Sequence, residues 1–208
     1  MKPEAFNFVV IADQVGSRSG DDRVPAALEA LAGMPLLLPF ERTAGDEVQG
    51  LSGAAGSVVA AMVRLTRLGN WRIGIGVGTV DTPLPESTRA ARGPAYLAAR
   101  TAIAAARHSP TDLALRIAAV GGDARYGELH EPALDAEAAL WLLRSVLGRR
   151  SREGWELMDL LDRGLTNAQA AAELGISPSA VSQRLNRAAR QEEVRGVRLA
   201  TRLLERVA

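Results

Sequence analysis

Between Leu165 and Ala188 the chain reads LTNAQAAAELGISPSAVSQRLNRA, and few folds accommodate that stretch. Asn167 to Leu174 has the composition of a short helix. Gly175 stands where the chain must turn sharply, and a residue with a Cβ would be strained there. Ser177 suits a helix N-cap, and Pro178 suits the first helical position, where a missing N–H costs nothing. Ala170, Ala171, Leu174, Ile176, Val181 and Leu185 fall where two short helices crossing steeply must touch. Ala171 is small, as required if the second helix passes directly over it. The pattern predicts a helix-turn-helix whose second helix presents an outward face to a DNA major groove. The alternative is a helical hairpin within an ordinary core.

On that second helix Ser177, Pro178, Ser179, Ser182, Gln183 and Asn186 fall on the outward side, and Val181 and Leu185 face inward. Gln can pair in bidentate fashion with adenine, and Ser can contact several bases. Arg184 and Arg187, with Arg190 beyond the helix, are placed for backbone phosphates. The expected partner is double-stranded DNA. Charge agrees in sign: residues 149–208 hold 11 arginines against 8 acids, whereas the first 148 hold 14 basic and 16 acidic residues. A basic tail beside a near-neutral body suits a phosphate-facing module. The segment resembles the helix-turn-helix units of bacterial sigma factors and of many one-domain repressors.

Composition excludes several chemistries. There are no cysteines, hence no disulfide or thiolate metal site, and only two histidines, His108 and His130, hence no histidine-rich metal site. With 47% hydrophobic and 24% charged residues the chain is of ordinary globular composition. The start MKPEAFNFVVIADQ lacks the long apolar run of a signal peptide, and no stretch reaches the ~20 apolar residues of a membrane span. A cytoplasmic protein without membrane contact is expected.

Upstream, Phe6–Ala12 reads as a buried strand, Asp22–Ala32 as a helix, and Pro35–Ala44 with Glu47–Leu51 as a hairpin turning at Gly45-Asp46. Gly56–Leu68 is an apolar helix, Trp71–Val80 an alternating strand, Pro83–Arg92 a loop and Pro94–Arg107 an Ala-rich helix. Leu113–Val120 is a strand and Leu134–Leu147 a helix, before the boundary stretch GRRSREG. The order predicts an α+β domain over residues 1–148, a sheet covered by helices on one face, followed by an all-α helix-turn-helix domain over 149–208. The last helix, Gln191–Val207, gathers Val194, Val197, Leu203, Leu204 and Val207 on one broad face. That stripe can pack on the body or pair with a second chain, and a homodimer is expected because one such module offers little surface for tight specific binding.

Two acids stand out in the first domain. Asp13 ends the first strand, and Asp46 sits at the hairpin tip. If those strands are neighbours, both carboxylates project from one sheet edge, an oxygen site for Mg²⁺ on a nucleoside triphosphate, with a backbone carbonyl between. Val15-Gly16-Ser17-Arg18 follows directly, and a Gly-containing turn that opens a helix presents N–H groups to a phosphate. The structural alternative is a strand-end cap and an ordinary hairpin turn. Trp71, Trp141 and Trp155 read as core or interdomain aromatics, and His108 as a charge near a helix end. His130 sits in a polar loop, and with no nucleophile motif a hydrolase triad has no support.

FVVIADQVGSR, RTAGDEVQG, WRIGIGVGTV and GPAYLAAR resemble, in that order, the landmark motifs of class III nucleotidyl cyclase domains. The same order resembles the SatD family of bacterial proteins, a trimmed cyclase-type domain often followed by a helix-turn-helix. The resemblance spans nearly the full length and implies a ferredoxin-like, cyclase-like sheet. It implies that Asp13 and Asp46 hold metal, that Gly16, Ser17 and Arg18 meet phosphate, that Arg42 lies at the base-selecting position, and that Arg100 steadies the transferring phosphates. Tyr96 stands where cyclases carry an Asn, and the spacing from Gly93 is one residue short. A phenol cannot place an amide there, so efficient cyclisation is not expected. Two readings follow. One is a DNA-binding regulator whose first domain senses a ligand, such as a nucleotide with Mg²⁺, or dimerises. The other is a nucleotide-processing enzyme with an accessory helix-turn-helix.

Overall fold

The computed structural model describes residues 6–17, 20–118 and 131–208. Arg18 and His130 lie outside the described residues, as do positions 119–120 of the strand expected to end at Val120. The fold is α+β. In chain order the elements are β1 (Asn7–Gln14), α1 (Val24–Leu31), β2 (Leu38–Arg42), β3 (Glu47–Ser52), α2 (Ala55–Leu68), β4 (Trp71–Gly78), α3 (Pro94–Ala106) and β5 (Leu113–Ile117). Then come α4 (Glu131–Leu147), α5 (Arg152–Asp162), α6 (Asn167–Leu174), α7 (Pro178–Arg187) and α8 (Arg190–Glu205).

The strands form one sheet in the order β2-β3-β1-β4-β5. β1 pairs antiparallel with β3 and with β4, and β5 runs parallel to β4. β1 is central because FVVIA is apolar at both parities, the signature of a strand buried on both faces. Phe8, Val10 and Ala12 look one way, into a core shared with α1, α2, α4 and the end of the chain. Val9 and Ile11 look the other way, toward Ala95, Tyr96 and Ala99 of α3.

Helices therefore cover both faces, not one as the element order suggested. The cause lies in β4. Gly74, Gly76 and Gly78 share a face, and α3 rests directly on it: a Cβ at Gly74 would meet Ile103 N at 2.4 Å, and one at Gly76 would meet Ala99 N at 2.2 Å. Absent side chains, which read as mere alternation, open a track for a helix of small residues.

The helical end of the chain is a three-helix unit. Ser151 caps α5, accepting from Gly154 N at 3.2 Å. Thr166 and Gln169 close a capping box on α6. Gly175 ends α6 in the left-handed region at φ 64°, and Ser177 caps α7, accepting from Ala180 N at 3.1 Å. Leu157, Met158, Leu160, Ala170, Ala171 and Val181 form its own core. α8 turns back onto α2 and α4, where Ala200, Leu204 and Val207 join the main core. The stripe on the last helix thus packs within the chain, and of it Val194 stays exposed. Among the described residues no helix is long and apolar enough to cross a membrane.

Candidate functional site

Two sites come out of this fold. The first is the outward side of α7. Ser177, Pro178, Ser179, Ser182, Gln183, Asn186 and Arg187 are exposed, while Val181 is buried and Leu185 packs against the three-helix core. Ser182 Oγ donates to Pro178 O at 3.1 Å, which leaves its lone pairs as acceptors toward solvent. Arg184 is half-buried and stands 4.0 Å from Glu156 of α5. Arg190, expected at a phosphate, instead pairs with Asp162 at 2.7 Å. That ion pair removes it from the group of arginines turned outward.

The second site is a cleft of about 820 Å³ at the sheet edge, lined by Asp13, Gly16, Ser17, Arg42 and Asp46 among others. Pairing of β1 with β3 carries the hairpin tip to the end of β1, and Gln14 N donates to the Asp46 carbonyl at 3.1 Å. The Gly16 turn does not open a helix, contrary to expectation. Among the described residues α1 starts only at Val24, and the Gln14 carboxamide ties the residues just before it back to β1 by donating to Asp21 O at 2.7 Å and accepting from Arg23 N at 2.9 Å. Arg42 forks onto Asp22, which also accepts from Val24 N at 3.0 Å.

Arg72 and Arg107 also line the cleft, and sequence reasoning missed both. Arg72 sits directly opposite Asp13 in the β1–β4 register, its Nη1 3.2 Å from Asp13 Oδ2. Its Nε is buried, has no hydrogen-bond partner among the described residues and lies 3.6 Å from Asp112 Oδ1. Arg107 follows from α3 lying antiparallel on β4. Ala99 meets Gly76 and Ile103 meets Gly74, so the next residue in the series, Arg107, comes level with Arg72. Four helical residues advance about 6 Å, close to the rise of two strand residues. The same arithmetic leaves Arg100 exposed along α3 and away from the cleft. Tyr96 lies further along still, its hydroxyl 3.3 Å from Thr88 Oγ1, which with Thr88 O receives Gln49 Nε2.

Burial and the Asp46 carboxylate push the Asp13 carboxyl above its usual range, while Arg72 and Arg107 hold it back. A raised carboxyl favours the fold when protonated and opposes it when ionised, so this contribution is lost as pH rises through the folded-state value. Asp46→Asn removes one cause. It is expected to raise the melting temperature of the ligand-free protein at pH 7, by less than about 1 kcal/mol in stability. The gain should vanish near pH ~3, where carboxyls are protonated. Thermal melts at both values check it, and a pH-independent gain would contradict the repulsion.

Among the described residues no group of three His, Cys, Asp or Glu side chains is arranged to hold a metal. Two carboxylates backed by arginines do fit a Mg²⁺ that arrives on phosphate oxygens, since Mg²⁺ keeps waters and takes only one or two protein carboxylates in such sites.

No family model matches the sequence, and no curated protein matches it. A solved structure described as a regulator of polyketide synthase expression from Bifidobacterium adolescentis matches with 15% identity and a TM-score of 0.29. The match covers 99% of this chain and 82% of that one. At that score the likeness carries no argument about fold details or function.

Proposed function

We propose that the chain is a DNA-binding transcriptional regulator whose first domain senses a nucleotide with Mg²⁺ or mediates dimerisation. The observation that carries this reading is α7 itself. A helix capped by Ser177 and turned at Gly175 sits over an apolar core and shows solvent a face of Ser179, Ser182, Gln183 and Asn186 beside Arg187. Side chains of these types read base edges, and arginine meets phosphate. Binding-site selection from random DNA tests it. Gln183→Ala is expected to relax preference at one base position, by about 1–3 kcal/mol, and Arg187→Ala to weaken all sequences alike and lower the salt slope. Unchanged selectivity in Gln183→Ala would refute the groove assignment.

The cleft supports the sensing half. Asp13 and Asp46 would hold a Mg²⁺ carried by a nucleotide, with Arg72 and Arg107 toward its phosphates; the metal neutralises phosphate charge. The arrangement of the first six elements, with β1 between β3 and β4, agrees with the ferredoxin-like order that the cyclase resemblance implies. The protein is expected to bind without forming cyclic product, because Tyr96 is directed to Thr88. A nucleoside triphosphate with Mg²⁺ at 100-fold its Kd should raise stability by about 2.7 kcal/mol, or roughly 5–10 °C in Tm. Asp46→Asn should abolish the rise. Robust cyclic product would favour the enzyme reading instead. Since the α8 stripe is used within the chain, a homodimer would need another surface, and a monomeric mass in light scattering would exclude it.

A further inference from the structure

Beside the outward side of α7 runs a groove of about 510 Å³. Gln183, Arg184 and Arg187 form one wall, and Arg149, Ser151 and Glu153 the other. The second wall belongs to the connection between α4 and α5 and to the first turn of α5. Arg149 is exposed, and its Nε donates to Ser145 O at the end of α4, at 3.0 Å. Among the described residues its Nη groups have no hydrogen-bond or ion-pair partner, and neither has the side chain of Arg187 across the groove. Arg150, the next residue, is by contrast buried and paired with Glu193 at 3.0 Å. One backbone bond thus holds Arg149 in place while the donor-rich end of its guanidinium stays available.

We infer that this groove seats a DNA backbone phosphate between Arg149 and Arg187, making the α4–α5 connection a second contact with the duplex. The inference rests on the DNA-binding reading above. Gln183, on the same wall as Arg187, is assigned to base edges, so a phosphate bordering that major groove is the anionic group within reach of both arginines. Two guanidinium groups with Nη donors left over, set across an open groove, suit one phosphodiester better than a neutral ligand. Glu153 is the opposing charge. Its carboxyl lies below the usual range because backbone N–H and Ser151 bonds favour the anion. It therefore stands ionised at the groove wall and repels phosphate at neutral pH, a brake that keeps non-specific affinity down.

The test uses the full chain and a short fluorescent duplex of random sequence, with anisotropy titrations across a salt series. Arg149→Ala should lower the slope of log affinity against log salt by about 0.9, a loss of roughly eightfold near 0.1 M salt, without changing base preference. Glu153→Gln should tighten binding, a gain that misfolding cannot imitate. If Arg187→Ala lowers the slope while Arg149→Ala and Glu153→Gln leave binding as it was, the groove lies off the duplex. The inference then fails and the DNA-binding reading stands. If the unaltered chain does not bind the duplex at any salt concentration, that reading fails and takes the groove with it.

Discussion

Gly76→Ala is expected to destabilise the protein by about 3 kcal/mol or more, a Tm loss of roughly 6–12 °C for a chain of this size. The added carbon would lie 2.2 Å from Ala99 N and 2.3 Å from Ala95 O. Both obstacles are backbone of α3, so no rotamer change relieves them. The helix must withdraw as a body, which opens its contacts with Val9 and Ile11 and moves Arg107 relative to Asp13. Gly56→Ala is the matched control. It lies in the first turn of α2 with the nearest obstacle, Thr201 Cγ2, at 4.0 Å, so the methyl should stabilise by about 0.5–1 kcal/mol. Denaturant unfolding of the two variants should therefore shift in opposite directions. A cost below about 1 kcal/mol at Gly76 would show that α3 is not seated on β4 as described.

The same strand shows what a single sequence can and cannot convey. The period of two in WRIGIGVG is plain, and so is the strand. What the glycines leave room for depends on a partner more distant in the chain, Ala99 for Gly76 and Ile103 for Gly74, and no local pattern names it. The pairing of Asp13 with Asp46 in one cleft was legible because a strand end and the next hairpin's tip are brought together by ordinary antiparallel neighbours. Arg107 is not legible, because its position depends on the direction and seating of α3, whereas Arg100 rests on the resemblance alone. α5 is hard to read for a different reason: two glycines and a run of charges between 148 and 154 look like a linker. Ser151, followed by Glu153 in the first turn, was the available sign of a helix start. The α6–α7 unit was readable almost to the residue, since caps, turn and small contacts are all local.

Arg150→Met is expected to cost about 3–5 kcal/mol, the range for removing one partner of a buried ion pair. The Arg150 side chain is 1% exposed and Glu193 is 14% exposed. The guanidinium also donates through Nε to Ala188 O at 2.7 Å, at the end of α7, and lies 4.3 Å over the Trp155 ring. Methionine keeps the length, leaves the Ala188 carbonyl without its donor, and leaves the Glu193 carboxylate with only the more distant Arg190, at 4.0 Å. Arg150→Met with Glu193→Leu should recover much of the loss, because no charge is then left unpaired. Chemical denaturation of the four members of the cycle measures the coupling. A single-variant cost under about 1 kcal/mol would mean that Glu193 is well solvated without its partner.

The route of α8 changes what kind of object α7 belongs to. The chain leaves the α+β body through α4, forms α5 to α7, and re-enters the same core through Ala200, Leu204 and Val207. The three-helix unit is thus sewn in along two seams, and is not a bead on a tether. It cannot sweep a wide cone, so its orientation is inherited from the body. Any shift of α4 against α8 would swing α7 as a crank swings its handle. Cutting the chain after Ala188 would accordingly not yield a tidy first domain. It would strip the cover from α2 and α4, and the truncated product should aggregate through the apolar face laid bare.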